Sequence, residues 1–274
     1  MTAETAGNPT DPAVLLFHGG GQTRHAWGGA LREFSARSFS TASFDLPGHG
    51  DSGWVADGNY DLELFATSVA DIANQFPRPA LVGASLGGLS SLIAIGEGLV
   101  PDASALVLVD VTPTIEPAGT RRIRDFMRLG VDGFASLDEV ADAISSYIPG
   151  RSRPKDLSGL SKNVRQRPDG LWVWHWDPAF FDHVDQDGGE PTAGRFTPPG
   201  RLQTASRNIK VPTLLVRGQT SDVVSDDGVA ELRTLIPHLD VVDVAGAGHM
   251  VAGDKNDRFN AAVLTFLDAH ARVD

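Results

Sequence analysis

A serine set between glycines, "GASLG" at residues 83–87, stands where the apolar run "ALV" gives way to the helical pattern "LGGLSSLIAIGE". A serine hydroxyl is a weak nucleophile near neutral pH. It becomes effective when a histidine takes its proton and a carboxylate orients that histidine. Candidates for both follow later in the chain. Asp222 lies in "RGQTSDVV", just after the apolar run "TLLVRG", and His249 lies in "GAGHMV", just after "DVVDV". Attack of Ser85 on a carbonyl would create an oxyanion, which needs preorganised N–H donors. The amide of Leu86, next to the serine, would be one. The "HGGG" stretch at residues 18–21 supplies the other, Gly20, with Gly21 as a neighbour able to substitute. The chemistry these residues would perform is acyl transfer, with no metal and no cofactor.

Those side chains need elements to hold them. Short apolar runs alternate with helical patterns. "AVLLFH", "STASFDLPG", "ALVGAS" and "SALVLVDV" read as strands, with helices at "RHAWGGALREFSA", "YDLELFATSVADIANQF" and "LGGLSSLIAIGE". In the second of these helices Leu62, Phe65, Val69 and Ile72 recur at helical spacing. The alternation stops near Thr112 and returns with "TLLVRG", "DDGVAELRTLI", "DVVDVAG" and "DRFNAAVLTFLDAHA". This pattern predicts an α/β fold, a mostly parallel sheet covered by helices on both faces. Residues 1–111 and 208–274 would form its two parts, and 112–207 a mainly helical cap insertion. Within the cap, Ser136 and Glu139 have the spacing of a capping box. Ligands of such sheets bind beyond the carboxyl ends of the strands, where all of the motifs above lie.

Five motifs, "HGGG" (18–21), "DLPGHGDS" (45–52), "GASLGG" (83–88), "GQTSD" (218–222) and "GAGH" (246–249), follow one another at the ends of these elements. In this order and spacing the chain resembles the α/β-hydrolase superfamily over nearly its whole length. The resemblance implies a Ser85–His249–Asp222 triad used on carboxylic esters, amides, thioesters or lactones. A serine at residue 85, rather than an aspartate, argues against the dehalogenase and epoxide-hydrolase routes. Other acids compete with Asp222. Asp226 and Asp227 read as first-turn helix residues favoured by the helix dipole. Asp110 ends the strand "ALVLVD", a position the family sometimes uses for the acid. The family normally begins with an antiparallel hairpin before the "HG" strand. Here only about a dozen residues precede it, so a truncated hairpin is expected.

The expected reaction is cleavage of an ester or lactone-like bond in a small, largely apolar substrate through an acyl-enzyme. The same site could serve C–C hydrolysis, perhydrolase, haloperoxidase or lyase chemistry. A receptor with an idle triad is the non-enzymatic alternative. His25, Trp27, Trp174 and Met250 are the expected substrate contacts. Phe126, Met127, Phe180 and Phe181 are further aromatic or thioether side chains that could line the pocket. His18 and His49, between glycines, read as structural. His175, Asp177, Asp182, His183 and Asp185 look like a ligand cluster, but their spacing matches no standard zinc or calcium pattern.

Composition sets the outer bounds. The 274 residues carry a net charge of -12, which disfavours binding to nucleic acid or to anionic membranes. The partner expected is a small-molecule substrate, the assembly a monomer or homodimer. There are no cysteines, so disulfides, thiolate catalysis, cysteine zinc sites and iron–sulfur clusters are excluded. The N-terminal stretch has neither a basic nor an apolar signal segment, and a cytoplasmic location is expected.

Overall fold

The computed structural model describes residues 1–147, 153, 156–180, 197–249 and 256–272. Seven strands form one sheet: β1 (Ala3–Ala6), β2 (Ala13–Phe17), β3 (Ser40–Phe44), β4 (Ala80–Ala84), β5 (Ala105–Val109), β8 (Thr213–Gly218) and β9 (Leu239–Val244). Their order is β1-β3-β2-β4-β5-β8-β9. All neighbours pair in parallel except β1, which runs antiparallel to β3. One antiparallel strand thus occupies the edge where a hairpin was expected.

The central strands β2, β4 and β5 are apolar at every position because both faces of the sheet are covered there. Leu15 and Phe17 join one cluster while Val14 and Leu16 join the other, the period-two alternation of a strand. On the first face lie α2 (Leu62–Ala73), α3 (Leu86–Gly96), α6 (Arg201–Asn208) and α7 (Asp226–Leu235). On the second lie α1 (Gly28–Ala36) and α8 (Asn256–His270). The reading of "RHAWGGALREFSA" as one helix is refined: Arg24–Trp27 is a 3₁₀ turn leading into α1.

Between β5 and β8 the chain forms α4 (Pro117–Arg128), α5 (Leu137–Tyr147) and a hairpin of β6 (Val164–Gln166) and β7 (Trp172–Trp174). The Ser136 hydroxyl accepts from the Glu139 N–H at 3.3 Å, and Glu139 Oε2 accepts from the Ala135 N–H at 2.7 Å. A third apolar cluster, including Met127, Phe134, Val140, Trp174 and Trp176, belongs to this stretch. Its last helix, α6, behaves differently. Leu202 and Ala205 join the cluster on the sheet, and a Cβ at Gly96 of α3 would stand 2.3 Å from the Ala205 carbonyl oxygen. No helix among the described residues is long and apolar enough to cross a membrane.

Candidate active site

Ser85 occupies the turn from β4 into α3 with φ 45° and ψ −111°, a conformation that costs a non-glycine residue about 1–3 kcal/mol. Its neighbours make the turn possible. A Cβ on Gly83 would stand 2.4 Å from the Gly87 carbonyl oxygen, and one on Gly87 would stand 2.4 Å from the carbonyl oxygen of Phe17. Both obstacles are backbone, so neither can step aside. Gly87→Ala should therefore force β2 and α3 apart. With an overpacking cost of about 1–3 kcal/mol, its melting temperature is expected about 3–10 °C below that of the parent, read by a thermal scan.

Ser85 is held by the Val109 carbonyl, which accepts its N–H at 3.1 Å. The Gly87 N–H donates to the His18 carbonyl at 3.1 Å, which ties the serine turn to the "HGGG" loop. As the first residue of α3, Leu86 has no helical carbonyl to receive its amide. In the loop, the Gly19 N–H is taken by Gln22 Oε1 at 3.0 Å. The Gly20 N–H has no protein acceptor among the described residues. Gly21 has φ +73° and lies under Met127.

The carboxylate on His249 is that of Asp110. His249 Nδ1 lies 2.7 Å from Asp110 Oδ2, with the histidine side chain 9% exposed and the aspartate fully buried. Asp110 Oδ1 accepts the Gly218 N–H at 2.9 Å, and Oδ2 also accepts the Ser221 hydroxyl at 2.6 Å. The Ser221 oxygen in turn accepts from the N–H groups of Val223 and Val224. Its own proton is therefore committed to Asp110. With Nδ1 donating to a carboxylate, the neutral imidazole carries its free lone pair on Nε2.

The expectation for Asp222 is corrected. Its side chain is 39% exposed and is taken by Arg122, at 2.9 Å to Nη2 and 2.8 Å to Nε. The reason lies in the sheet. In the β4–β5 register Ala84 pairs with Val109, so Ser85 and Asp110 are the next residues on adjacent strands. Both have positive φ, 45° and 49°. The turn after β8, where Asp222 sits, supplies instead the Ser221 hydroxyl and the Gly218 amide.

The expected substrate contacts scatter. Trp27 is buried in the cluster on the second face of the sheet, its ring 5.9 Å from that of Phe259. Trp174 is a core residue of the third apolar cluster: it stacks on Trp176 at 4.8 Å and donates to the Leu129 carbonyl. The helix-and-hairpin stretch needs its own apolar centre, and the tryptophans supply it. His25 is partly exposed beside Glu4. Met250, Phe181, Asp182, His183 and Asp185 lie outside the described residues. Among the described residues no group of three or more His, Cys, Asp or Glu could hold a metal ion.

His175 and Asp177 have other partners. The Gly50 N–H donates to His175 Nδ1 at 2.9 Å, the Tyr60 hydroxyl donates to Asp177 Oδ2 at 2.6 Å, and the Asp177 N–H donates to the Gly48 carbonyl at 2.8 Å. Phe180 completes the joint with ring contacts to His49, Tyr60 and Phe65 at 5.2–6.0 Å. The segment thus fastens the stretch between β5 and β8 to the "DLPGHGDS" loop. That loop is built around buried Asp45, which accepts from Arg24 and from the Asp51 N–H.

A buried His–Asp pair, its aspartate ending the strand next to that of the strained serine, lies at the carboxyl ends of the parallel sheet. Residues 14–262 match the alpha/beta hydrolase family, and the chain belongs to it; the protein is an enzyme, a hydrolase. Its relatives include the esterase Rv0045c of Mycobacterium tuberculosis, 32% identical over 94% of this chain and 83% of that one. Another is the 2-(acetamidomethylene)succinate hydrolase of Mesorhizobium japonicum, 29% identical over 94% of this chain and 88% of the relative. The crystal structure of Rv0045c superposes with a TM-score of 0.72 at 29% identity, covering 97% of this chain and 91% of that one. That of E-2-(acetamidomethylene)succinate hydrolase shares the fold with a TM-score of 0.80 at 24% identity, over 97% and 94% of the two chains.

Proposed function

We propose that the protein is a serine hydrolase that cleaves a carboxylic ester of a small molecule through a Ser85–His249–Asp110 triad. The observation that carries this reading is the 2.7 Å contact of His249 Nδ1 with a buried, triply bonded Asp110. Its oxygens face the Gly218 N–H, the Ser221 hydroxyl and His249 Nδ1, so the proton of the last contact sits on Nδ1 and the histidine tautomer is fixed. His249 Nε2 takes the proton as Ser85 Oγ attacks the ester carbonyl. The amides of Gly20 and Leu86 hold the oxyanion. As the tetrahedral intermediate collapses, the alcohol leaves with the proton from His249. A water molecule then gives a proton to His249 and attacks the acyl-enzyme; as the second tetrahedral intermediate collapses, His249 returns that proton to Ser85 Oγ and the acid departs. The kinship with Rv0045c, an esterase by name, supports ester as the bond type. A second relative, 26% identical, is an N-formylmaleamate deformylase, so amide-like acyl groups belong in the same assay.

The test is labelling with a fluorophosphonate, read by intact mass and peptide mapping, beside turnover of 4-nitrophenyl butyrate. One adduct per chain on Ser85 is expected, abolished by His249→Ala. Turnover by Ser85→Ala is expected to fall by at least about 10³-fold. A Ser85→Ala protein that keeps more than a tenth of its turnover would overturn the mechanism.

A further inference from the structure

Helix α4 is pinned at both ends to loops of the sheet. Near its start, a Cβ on Gly119 would stand 2.4 Å from the Asp222 carbonyl oxygen, and the Glu116 N–H donates to the Val223 carbonyl at 3.0 Å. Two turns further along, Met127 lies over Gly21, where a Cβ would stand 2.8 Å from Met127 Cε. Asp222 follows β8 and Gly21 follows β2, and β5 and β4 lie between those strands. Two turns of helix rise about 12 Å, close to the ~14 Å of three strand spacings. The middle of α4, at Ile123 and Arg124, therefore stands over the ends of β5 and β4, where Asp110 and Ser85 sit.

The sides of α4 are used unequally. Phe126 stacks on Tyr147 at 4.2 Å and packs against Trp174 at 5.4 Å. Arg122, on the same side, bonds Asp222 and lies over the Tyr147 ring. Arg124 is on the flank turned away from this apolar centre. Its side chain is only 20% exposed, and its Nε is buried with no hydrogen-bond partner among the described residues. The carboxylate beside it is Asp125, its own chain neighbour, 71% exposed and 3.6 Å away, beyond hydrogen-bond length. Guanidinium groups withdrawn from water are ordinarily bonded to a carboxylate. Arg24, Arg201 and Arg217 all are. In a chain with 35 acidic and 23 basic residues, a mostly buried arginine without such a bond over the catalytic strands is a cation kept for a ligand.

We propose that Arg124 recognises a carboxylate on the substrate, so that the preferred ester carries an anionic group a few carbons from the scissile carbonyl. This rests on the serine-hydrolase reading and names its substrate class. The guanidinium fork offers two N–H donors to a planar carboxylate. The chain's net charge of -12 repels anions at long range, so selection of an anionic ester requires a local cation.

The experiment compares mono-4-nitrophenyl glutarate with 4-nitrophenyl valerate, which have acyl chains of the same length with and without the carboxylate. For Arg124→Gln the ratio of the two kcat/KM values, anionic over neutral, should fall about 10–100-fold, chiefly through KM, and Arg124→Lys should be intermediate. A ratio that moves less than threefold in Arg124→Gln overturns the proposal. A second arm needs no turnover: glutarate binding by calorimetry to Ser85→Ala and to Ser85→Ala/Arg124→Gln. Binding to the first and not to the second supports Arg124. Equal binding to both, or none to Ser85→Ala, overturns it. Should the unaltered protein cleave neither ester, the hydrolase reading fails by itself, and the binding arm still decides Arg124.

Discussion

Asp110→Asn is expected to lower kcat on an activated ester by about 10³–10⁴-fold, while Asp222→Asn leaves it within about threefold. The asymmetry follows from the donors around each carboxylate. Asp110 Oδ1 faces the Gly218 N–H, a backbone donor that cannot reverse. Oδ2 faces the Ser221 hydroxyl, whose oxygen already accepts from Val223 and Val224, and His249 Nδ1, which can reverse. An asparagine must place its oxygen toward Gly218 and its NH₂ toward His249. Imidazole Nδ1 then becomes an acceptor, the ring proton moves to Nε2, and the lone pair that the proposed base would use is lost. The fold should survive, since one amide replaces one carboxylate of nearly the same shape. Asp222 is different: it is 39% exposed, its partner Arg122 is 42% exposed, and such pairs contribute about 0–1 kcal/mol. Steady-state kinetics of the two variants, with fluorophosphonate labelling rates, decide the matter. A crippled Asp222→Asn beside an active Asp110→Asn would move the acid back to the turn after β8.

Most of the scaffold was legible in the sequence for a physical reason. Strands buried on both faces must be apolar at consecutive positions, as in "AVLLF" and "ALVLV", and helices between them must keep one apolar stripe. The serine turn was legible too, because only small residues fit at 83 and 87. The acid was not settled, because chain order is silent on strand order. Asp110 and Asp222 each end an apolar run. What separates them is the pairing of β4 with β5, a long-range contact. Trp27 and Trp174 were misplaced for a related reason. An aromatic side chain near a catalytic loop has the same local signature whether it faces the pocket or the core. Ser221, Asp45 and Tyr60 left no local signal. Each is defined by a partner far along the chain, Asp110 for the first, Arg24 for the second and Asp177 for the third.

The joint between the β5–β8 stretch and the "DLPGHGDS" loop sets the second large effect, a loss of stability in mild acid. His18, His49 and His175 are buried in a row, ring centroids 5.2 and 6.1 Å apart. Backbone partners fix each as a neutral ring. His18 donates from Nδ1 to the Gly19 carbonyl while its Nε2 accepts the Leu46 N–H. His49 donates from Nδ1 to the Pro47 carbonyl, and His175 accepts the Gly50 N–H at Nδ1. A second proton would set N–H against N–H at His18 and His175. At His49 it would sit on a buried Nε2 that has no acceptor among the described residues. Burial, with the neighbouring His49, holds His18 well below its usual value. Burial lowers His49 to about 4 despite the opposing Pro47 carbonyl and Asp45. Burial, then His49, lowers His175 to about 3 against the Gly21 carbonyl.

All three folded-state values lie below the value near 6.5 of the unfolded chain, so the unfolded chain binds more protons in between. Their stabilisation is fully present above pH 6.5 and is lost as pH falls toward 4 and 3. Each histidine contributes a slope of about 1.4 kcal/mol per pH unit in that window. The row together should cost about 3–4 kcal/mol between pH 6.5 and 5.5, above the range where ordinary carboxylates titrate. Urea unfolding at pH 7, 6, 5.5 and 5 measures the slope. His175→Asn keeps an acceptor for the Gly50 N–H and removes one titrating ring. It should be less stable than the parent at pH 7, yet lose about 1.4 kcal/mol less per pH unit on acidification. An unchanged slope in this variant would mean that His175 takes up its proton in the folded state without penalty, and the neutral row would not be what fastens this joint.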